Sequence, residues 1–394
     1  MAGINNNYFD LIIIGGGING AAAARDAVLR GLSVCLIEKG ACGEGTSSKS
    51  SKLAHGGLRY LEHFEFRMVQ ETLNERDLLL KLAPKYVKPL PFIYPVYKFS
   101  TRPLWKIKLG MWVYHFLAKH LAVPKYQLLS TEKIHEFCPA LSRKQLKGGA
   151  LYYDGQLMDK ELVKANVEDA LSLGLELHEH SKVIGFIKDK HELKGVKVQQ
   201  KSEINEFYAN QILNTSGPWM NELIHMDDSS AQAVISPTKG AHIVVKGMGL
   251  NYALVLESPI DKRIFFMIPW EQNTLIGTTD TDFDGNPDEV TVTQDDVDYL
   301  LASANRYLSG IELKESDIVQ RFAGLRPLRF SEKGESSRSR DFSITKTKSG
   351  LINLFGGKYT SYRLMAEETI DYVISQFSDP ERFNDCRTHK RPLT

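Results

Sequence analysis

The stretch FDLIIIGGGINGAAAARDAVLRGLSVCLIEK, residues 9–39, decides the fold of this chain. An apolar run, three glycines, an alanine-rich segment and a second apolar run follow one another. This order is typical of a buried strand, a helix and a neighbouring parallel strand. We expect the helix over residues 19–30, because Gly31 ends the helical pattern. The sequence therefore predicts an α/β protein that opens with a β-α-β unit.

The glycines of this unit match the pattern G-x-G-x-x-G, with Gly15, Gly17 and Gly20 in the three places. They permit a tight turn, close approach of a pyrophosphate to the backbone, and close packing of helix on strand. Free N–H groups and the helix dipole then favour the anion. Glu38 stands at the end of the second strand, where it is expected to bind a ribose. We predict a dinucleotide site, with NAD and FAD both open at this point.

Composition and charge narrow the class of protein. The 394 residues carry a formal net charge of +1, so nucleic acid is not an expected partner and any bound anion must be held locally. The N-terminus lacks the charged start and apolar core of a signal peptide. The cysteines fall at no metal-like or disulfide-like spacing, which predicts no metal site and a reducing, cytoplasmic compartment. They are Cys35, Cys42, Cys138 and Cys386.

The pattern of a strand followed by a glycine turn returns further along the chain. It occurs in QILNTSGPW, residues 211–219, and in INLFGGKY, residues 352–359. We therefore expect a Rossmann-like sheet assembled from discontinuous segments, together with an α+β substrate layer that is mainly antiparallel. The predicted cofactor domain comprises residues 1–84, 151–233 and 345–380, and the predicted substrate domain comprises residues 85–150 and 234–344.

Two further helices have distinct sequence signals. A long helical pattern runs from Leu58 to Leu82 and ends before a proline. Thr293 and Asp296 offer a capping box for a helix that extends through Leu308.

The second G-x-G-like stretch, KGMGLN at residues 246–251, lacks the third glycine. A single fingerprint favours an enzyme that takes electrons directly from a small molecule.

Residues 102–124, RPLWKIKLGMWVYHFLAKHLAVP, form the most membrane-like segment of the chain. Lys106 and Lys108 interrupt the apolar run, which is too short to span a bilayer. Trp105 and Trp112, with the flanking basic residues, fit a helix that lies on a membrane surface. A core helix with exposed lysines is the alternative, and the sequence leaves both open. The first alternative places the protein at the inner face of the cell membrane.

Arginine is concentrated in one short segment near the C-terminal end. Its planar fork suits the bidentate binding of phosphate or carboxylate. A solvated basic loop is the alternative interpretation. The five arginines are Arg321, Arg326, Arg329, Arg338 and Arg340.

Seven blocks of the sequence, taken in order, resemble one flavoprotein family. They are residues 9–39 above, GTSSKSSKLAHGGLRYLE, SPTKGAHIVV, IPWEQNTLIGTTDTDF, FAGLRPL, SRSRDF and GGKYTSYRLMAEE. Together they resemble the FAD-dependent glycerol-3-phosphate dehydrogenases, in the larger D-amino-acid-oxidase-like group. Members of this family usually continue into a helical C-terminal domain, and residues 381–394 match the start of the linker to it.

The resemblance implies an FAD site built from several turns. It places the loop after residue 45 and the HGGL stretch along the flavin, and the turn from Gly356 before the last helix at the flavin C2 carbonyl. The cofactor-binding residues that it implies are Gly15, Gly17, Ile18, Asn19, Gly20, Glu38, Lys39, Thr46, Ser47, Ser48, His55, Gly56, Gly57, Leu58, Val183, Thr215, Ser216, Gly217, Trp219, Gly357, Lys358, Tyr359 and Thr360.

The resemblance also implies the substrate site. Arg326 and Arg340 are the expected phosphate ligands, and a histidine is the expected base. His242 is slightly favoured over His55 for that role. The alternative is that His55 tunes the flavin while an arginine lowers the pKa of the substrate alcohol. The catalytic residues expected are His242, Arg326, Lys358 and His55. The substrate-binding residues that the resemblance implies are Arg59, Tyr60, His242, Thr279, Arg326, Arg340 and Lys358.

Three functions are weighed on these residues. The first is oxidation of glycerol 3-phosphate with a membrane quinone as acceptor, or with oxygen as in the related oxidases. The second is oxidation of an amino acid or another carboxylate on the same fold. The third is a flavin-binding protein without catalysis. The expected partners are glycerol 3-phosphate, a quinone, a membrane surface and a second copy of the chain.

Overall fold

The computed structural model describes residues 7–118, 122–330 and 341–394. They divide into two compact units. The first unit contains the described residues within 1–50, 158–238 and 326–394, and the second contains those within 51–157 and 239–325.

The described residues form strands and α-helices in a mixed order. The strands are β1 Tyr8–Ile14, β2 Val34–Ile37, β3 Leu53–Ala54, β4 Val87–Tyr97, β5 Gln127–Leu129, β6 Leu146–Leu157, β7 Glu176–His178, β8 Ser181–Asp189, β9 Glu192–Gln200, β10 Glu203–Asn214, β11 Ile235–Lys246, β12 Ala253–Glu257, β13 Ile264–Trp270, β14 Asn273–Gly277, β15 Thr281–Asp282, β16 Ile318–Arg329, β17 Phe342–Lys346 and β18 Ile352–Gly356. The helices are α1 Ile18–Leu29, α2 Phe66–Leu82, α3 Leu104–Leu117, α4 Thr131–Phe137, α5 Asp159–Leu171, α6 Met220–Asp227, α7 Gln294–Asn305 and α8 Tyr362–Ile374.

The first unit is built on one sheet with the strand order β17-β18-β10-β1-β2-β7. The five strands from β18 to β7 are parallel. Strands β1 and β2 are adjacent inside the sheet, and Leu11, Ile12 and Ile13 of β1 are fully buried. Their unbroken apolar sequences fit this position, because a parallel sheet is covered on both faces. The predicted β-α-β unit and the predicted α/β fold are confirmed.

The glycine turn after β1 depends on contacts too close for any side chain. Gly15 has φ +106°, and a Cβ there would lie 2.8 Å from the carbonyl oxygen of Thr215. A Cβ on Gly20 would overlap the carbonyl oxygen of Gly15. The first residue therefore needs both the left-handed conformation and the space, and the second needs the space for α1 to pack on the turn.

The second unit contains most of a larger sheet with the order β15-β11-β14-β13-β12-β4-β6-β3. From β11 to β3 its pairings are antiparallel apart from that of β12 with β4. Helix α7 covers one apolar face, where Val297 and Leu300 are fully buried. The predicted capping box is present, with Thr293 and Asp296 bonding reciprocally at the start of α7. The mainly antiparallel second layer is also confirmed.

The structure differs from the sequence prediction between residues 58 and 82. The predicted single helix is wrong at its start: Leu58–His63 form a 3-10 turn and the α-helix begins at Phe66. The break lies at Phe64, whose φ of +59° cannot continue a right-handed helix. Residues 51–84, expected in the cofactor domain, belong to the second unit, because β3 pairs with β6.

The contact between the first turn and α1 yields a stability prediction. Gly20→Ala should lower the free energy of unfolding by about 3 kcal/mol or more, since the new methyl group meets a backbone oxygen that cannot move aside. Thermal unfolding measures the change. Gly185→Ala is the matched control, because its Cβ would lie 3.9 Å from the side chain of Lys197. Equal melting temperatures for the two variants would contradict the prediction.

Candidate active site

The carboxyl ends of the parallel strands form one edge of the first sheet. The turn Gly15–Gly17 follows β1, Glu38 follows β2, Thr215 follows β10 and Gly357 follows β18. Ligands of doubly wound sheets bind outside this edge, where neighbouring connections leave the central strand in opposite directions. Here the chain passes from β1 to β2 on one side, and β10 lies on the other.

Two polar contacts shape the turn at the start of α1. The Ile18 N–H donates to Ser47 Oγ at 2.9 Å, so the 3-10 turn Thr46–Ser48 lies against the helix N-terminus. Glu38 accepts from the Gly16 N–H at 2.6 Å and from the Gly40 N–H at 2.8 Å, one on each carboxylate oxygen. Each oxygen keeps a further lone pair, so the carboxylate is held in place and can still accept from a ligand.

The turn after β10 is fixed to the turn after β1. Thr215 Oγ1 donates to the carbonyl oxygens of Ile14 and Gly15 at 3.0 and 2.9 Å. Asn214 bonds Asn353 on the neighbouring strand at 3.0 Å. Its side-chain oxygen also accepts from the N–H and the hydroxyl of Ser216. These bonds hold two of the edge turns in one rigid arrangement.

Lys39 and Trp219 meet at the same edge. The Lys39 ammonium lies 3.7 Å from the centroid of the indole ring, which is a close cation–π contact. The ring also faces the turn at Gly45, where a Cβ would lie 3.5 Å from it. Two residues that the sequence analysis placed at the cofactor therefore contact each other.

Asp159 connects two other parts of the predicted cofactor site. Its carboxylate accepts from the Ser50 hydroxyl at 2.7 Å, and its carbonyl oxygen accepts from the Tyr359 hydroxyl at 2.6 Å. Burial raises the pKa of Tyr359 well above its ordinary value. Tyr359 follows Lys358 in the turn before α8, and Gly357 in this turn has φ +76°. The turn before α8 is thereby tied to the start of α5.

The second unit holds the HGGL stretch on a buried polar cluster. Asp154 accepts from the Gly56 N–H at 3.3 Å, from Arg76 Nη1 at 2.8 Å and from the Tyr114 hydroxyl at 2.9 Å. Arg76 also bonds Asp77 through two nitrogens. All four side chains of this cluster are buried. Burial raises the pKa of the Asp154 carboxyl, and the adjacent guanidinium opposes that rise.

His242 lies on β11 in the interior of the second unit. Its Nε2 is 2.8 Å from Ser51 Oγ, and its ring stacks on Phe322 at 5.0 Å between centroids. Gly277 is its partner on β14, and a Cβ there would overlap the imidazole. Lys52, the residue after Ser51, is buried and has φ +58°. The histidine is therefore held on one ring face by Phe322, along one edge by Gly277, and at Nε2 by Ser51.

Thr279 belongs to a buried hydrogen-bonded group beside His242. Its hydroxyl accepts from the Ala241 N–H at 2.9 Å and donates to Asp296 at 3.0 Å. Asp296 also pairs with Lys239 at 2.6 Å. Burial raises the pKa of Asp296, but the hydrogen bonds from Lys239 and Thr293 outweigh it and hold the pKa below its ordinary value.

The remaining predicted substrate residues lie in different settings. Tyr60 is buried in an apolar cluster of the second unit, and Arg59 beside it is half-buried. Arg326 is half-buried on β16, whereas Arg321 and Arg329 are exposed, as a solvated basic segment requires. Arg338 and Arg340 lie outside the described residues. Val183 is buried in the core of the first unit.

Two clusters of described residues have the composition of a metal site. Glu367, Cys386 and His389 form one of them, and the other lies on strands β2 and β7. Cys35, Glu176 and His178 bring their ligand atoms within 4.8 Å of one another on the adjacent strands β2 and β7. His178 Nε2 already bonds Glu176 at 2.8 Å. Burial raises the pKa of the Cys35 thiol far above its ordinary value, which opposes the thiolate that a metal needs. We therefore assign no metal to it.

Comparison with known proteins settles the family. A family model described as FAD dependent oxidoreductase matches residues 10–370. The chain is 39% identical to a glycerol-3-phosphate dehydrogenase of Synechocystis over 99% of its own length and 74% of that protein's. It belongs to the FAD-dependent glycerol-3-phosphate dehydrogenase family. The recognition made from the sequence blocks is confirmed, and FAD is the cofactor of the family.

Two further relatives outline this flavoenzyme family. A D-erythritol 1-phosphate dehydrogenase of Brucella abortus is 36% identical over 98% of the chain and 76% of its own length. A solved glycerol-3-phosphate dehydrogenase from Bacillus halodurans, complexed with FAD, superposes with a TM-score of 0.81 at 30% identity. That match covers 98% of this chain and 68% of the other.

The edge of the first sheet fits an FAD on its own geometry. The turn Gly15–Gly17 after β1 carries no side chains, so backbone alone lines it at the start of α1. Glu38 is oriented by two N–H groups and retains acceptor capacity. A flavoenzyme of this family needs both features, one for the pyrophosphate and one for the ribose.

Sequence reasoning missed several residues that contact or support the predicted site residues. Ser51 stands inside a quoted block but was given no role, and Asp154, Arg76 and Tyr114 were not considered. One signal was present: Asp154 is a carboxylate within the otherwise apolar strand LYYDGQL. A buried acid inside a strand predicts a cationic partner, although not which one.

The buried cluster predicts a large stability effect. Asp154→Ala removes a carboxylate that accepts hydrogen bonds from both Arg76 and Tyr114. Because the buried Arg76 loses one of its anionic partners, the free energy of unfolding should fall by about 3–5 kcal/mol. Urea unfolding measures it. Glu71→Ala is the control, because its pair with Arg67 is exposed and should be worth less than about 1 kcal/mol. A loss at Asp154 as small as that at Glu71 would show that the buried cluster is not needed.

Proposed function

We propose that this protein oxidises sn-glycerol 3-phosphate to dihydroxyacetone phosphate. When bound, FAD would serve as the oxidant, with N5 of its isoalloxazine ring as the acceptor for the hydride from C2 of the substrate. The observation that carries the proposal is the similarity to a glycerol-3-phosphate dehydrogenase over nearly the whole chain, together with the buried histidine on β11. The solved relative from Bacillus halodurans, which bears this name, has the same overall fold.

We assign the pyrophosphate of FAD to the turn Gly15–Gly20 and its ribose to Glu38. Thr46, Ser47 and Ser48 lie against the same helix N-terminus, and Lys358 precedes the first turn of α8. The dipole of α8 favours negative charge at its N-terminus, and this suits a cofactor that becomes more negative on reduction. The wider set implied by the family resemblance remains a prediction.

We assign the removal of the C2 hydroxyl proton to His242. A base must be neutral to accept a proton, and a ring that is stacked on Phe322 and packed edge-on against Gly277 keeps its orientation through the reaction. His55 is half-buried in the loop anchored by Asp154. It is the second candidate, because that loop is expected to lie along the flavin.

We assign the phosphate to Arg326, with Arg59, Lys358 and Arg340 as further cations. One guanidinium group can bind two oxygens of a phosphate at once. Arg326 lies on β16 and is half-buried. Thr279 is a less suitable ligand, because its hydroxyl is already engaged by Ala241 and Asp296. Its role is to support the strand that carries His242. Tyr60 is buried in an apolar cluster, so its role in binding the substrate stays a prediction.

D-erythritol 1-phosphate is a second candidate substrate. The relative from Brucella abortus acts, by its name, on D-erythritol 1-phosphate, which shares the phosphate and a secondary alcohol with glycerol 3-phosphate. Its 36% identity is close to that of the glycerol-3-phosphate dehydrogenases. An amino-acid substrate is less well supported, because solved amino-acid oxidases match at only 16–20% identity and share the fold alone.

The electron acceptor is proposed to be a quinone at a membrane surface. Trp105, Leu109, Trp112 and Phe116 recur at helical spacing on α3 and are all exposed. The opposite face of α3 is buried through Ile107, Met111 and Tyr114. Exposed tryptophans beside lysines are typical of helices that lie in the interfacial region of a bilayer. Within the described residues, no helix has the length and apolarity needed to cross a membrane. Oxygen is the alternative acceptor.

The proposed substrate is tested by anaerobic reduction of the purified flavoprotein. Glycerol 3-phosphate should bleach the flavin absorbance, while D-amino acids and glycine should not. Arg326→Ala should require a roughly ten- to hundredfold higher substrate concentration with FAD retained, because a charge-assisted contact is lost. Bleaching by D-erythritol 1-phosphate at a lower concentration than glycerol 3-phosphate would replace the proposed substrate. No bleaching by either would refute the function.

The membrane surface is tested by flotation with vesicles that contain phosphatidylglycerol. Replacing both Trp112 and Phe116 by Ser should weaken binding about tenfold or more, since two stacked aromatic side chains no longer enter the interface. Ile204→Ser is the control, because Ile204 is an exposed apolar residue on the first unit. Equal binding of all three proteins would exclude this face of α3.

A further inference from the structure

Ser51 and His242, which contact each other, differ in how far they are exposed to solvent. His242 is 3% exposed, whereas Ser51 is half-buried in the segment just before β3. The imidazole is covered on one face by Phe322, and its edge approaches Gly277 on β14. Its Nε2 meets Ser51 Oγ at 2.8 Å. The more accessible member of this pair is therefore the serine.

This arrangement limits how His242 can act as a base. A base must come within hydrogen-bond reach of the proton that it removes, directly or through one intervening group. Nε2 already has a partner at that distance. A serine hydroxyl can donate one proton and accept another at the same time. Ser51 is thus able to stand between His242 and a substrate hydroxyl.

We propose that Ser51 is a catalytic residue that relays the substrate proton to His242. The proton of the C2 hydroxyl moves to Ser51 Oγ while the hydroxyl proton of Ser51 moves to His242 Nε2. The C2–H bond breaks with its electron pair passing to the oxidised flavin, and a carbonyl forms at C2. The products are the ketone, an imidazolium and the two-electron-reduced cofactor. This inference rests on the proposed oxidation of a phosphorylated polyol.

The interaction itself is tested without turnover. In protein labelled with 15N-histidine and free of substrate, Ser51→Ala should shift the Nε2 resonance of His242, and Ser51→Thr should restore most of it. Ser303→Ala is the matched control: Ser303 is fully buried on α7 and its hydroxyl bonds Ser258 at 3.0 Å. An unchanged Nε2 signal in Ser51→Ala would overturn the proposal.

The relay is tested in the anaerobic reductive half-reaction of the FAD-loaded enzyme. Ser51→Ala should lower the rate of flavin reduction about a hundredfold or more with little change in the half-saturating substrate concentration. Ser51→Thr should keep most of the rate. The rate is also measured in mixtures of H₂O and D₂O. For wild-type protein, a plot of rate against the deuterium fraction should be curved, because two protons move in the same step. For Ser51→Ala the plot should be a straight line.

The possible results separate two failures. Wild-type protein that is not reduced by any phosphorylated polyol would refute the proposed function. Wild-type protein that is reduced, with Ser51→Ala equally fast or with the same isotope curvature, would overturn the relay and leave the proposed function standing. Slow Ser51→Ala with normal FAD binding and normal thermal stability, beside fully active Ser303→Ala, would support the relay.

Discussion

The parallel register of the first sheet is the constraint on which the rest of the site depends. Ile14 pairs with Asn214 and Ile37, and Asn214 pairs with Asn353. Because parallel strands in register end together, turns from four distant parts of the sequence reach one edge. No single turn could supply a backbone cradle, an acidic residue and a helix N-terminus. The sheet assembles them by aligning strand ends.

The second unit solves a different problem, which is to hold polar groups inside an apolar sheet. Asp154 and Asp296 are buried carboxylates, and each lies against one cation and at least one hydroxyl. Such groups are costly to bury unless they are paired and hydrogen-bonded. Asp154 supports the loop at Gly56, and Asp296 supports the strand at Ala241 through Thr279. Each buried ionic group therefore stabilises backbone next to a residue assigned to the chemistry.

The sequence analysis succeeded where function leaves a local pattern. The turn from Gly15 to Gly20 and the strand before it are contiguous, so their spacing carries the whole signal. The same is true of the capping box at Thr293. By contrast, Asp154 meets Arg76 across 78 residues and Ser51 meets His242 across 191. Only the folded sheet brings these pairs together, and no periodicity encodes them. The prediction of where α2 begins was wrong for a related reason. Phe64 adopts a left-handed backbone conformation, and a phenylalanine in the sequence does not predict one.

The scattered origin of the first sheet has a consequence for biosynthesis. Ile14 and its partner Asn214 are 200 positions apart. At translation rates of about 5–20 residues per second, β1 leaves the ribosome roughly 10–40 seconds before β10. During that interval only β2 is available to pair with it, and one edge of a very apolar strand stays uncovered. Exposed strand edges of this kind recruit other chains. Until β10 is synthesised, this edge is a place where the nascent protein is exposed to pairing with other chains.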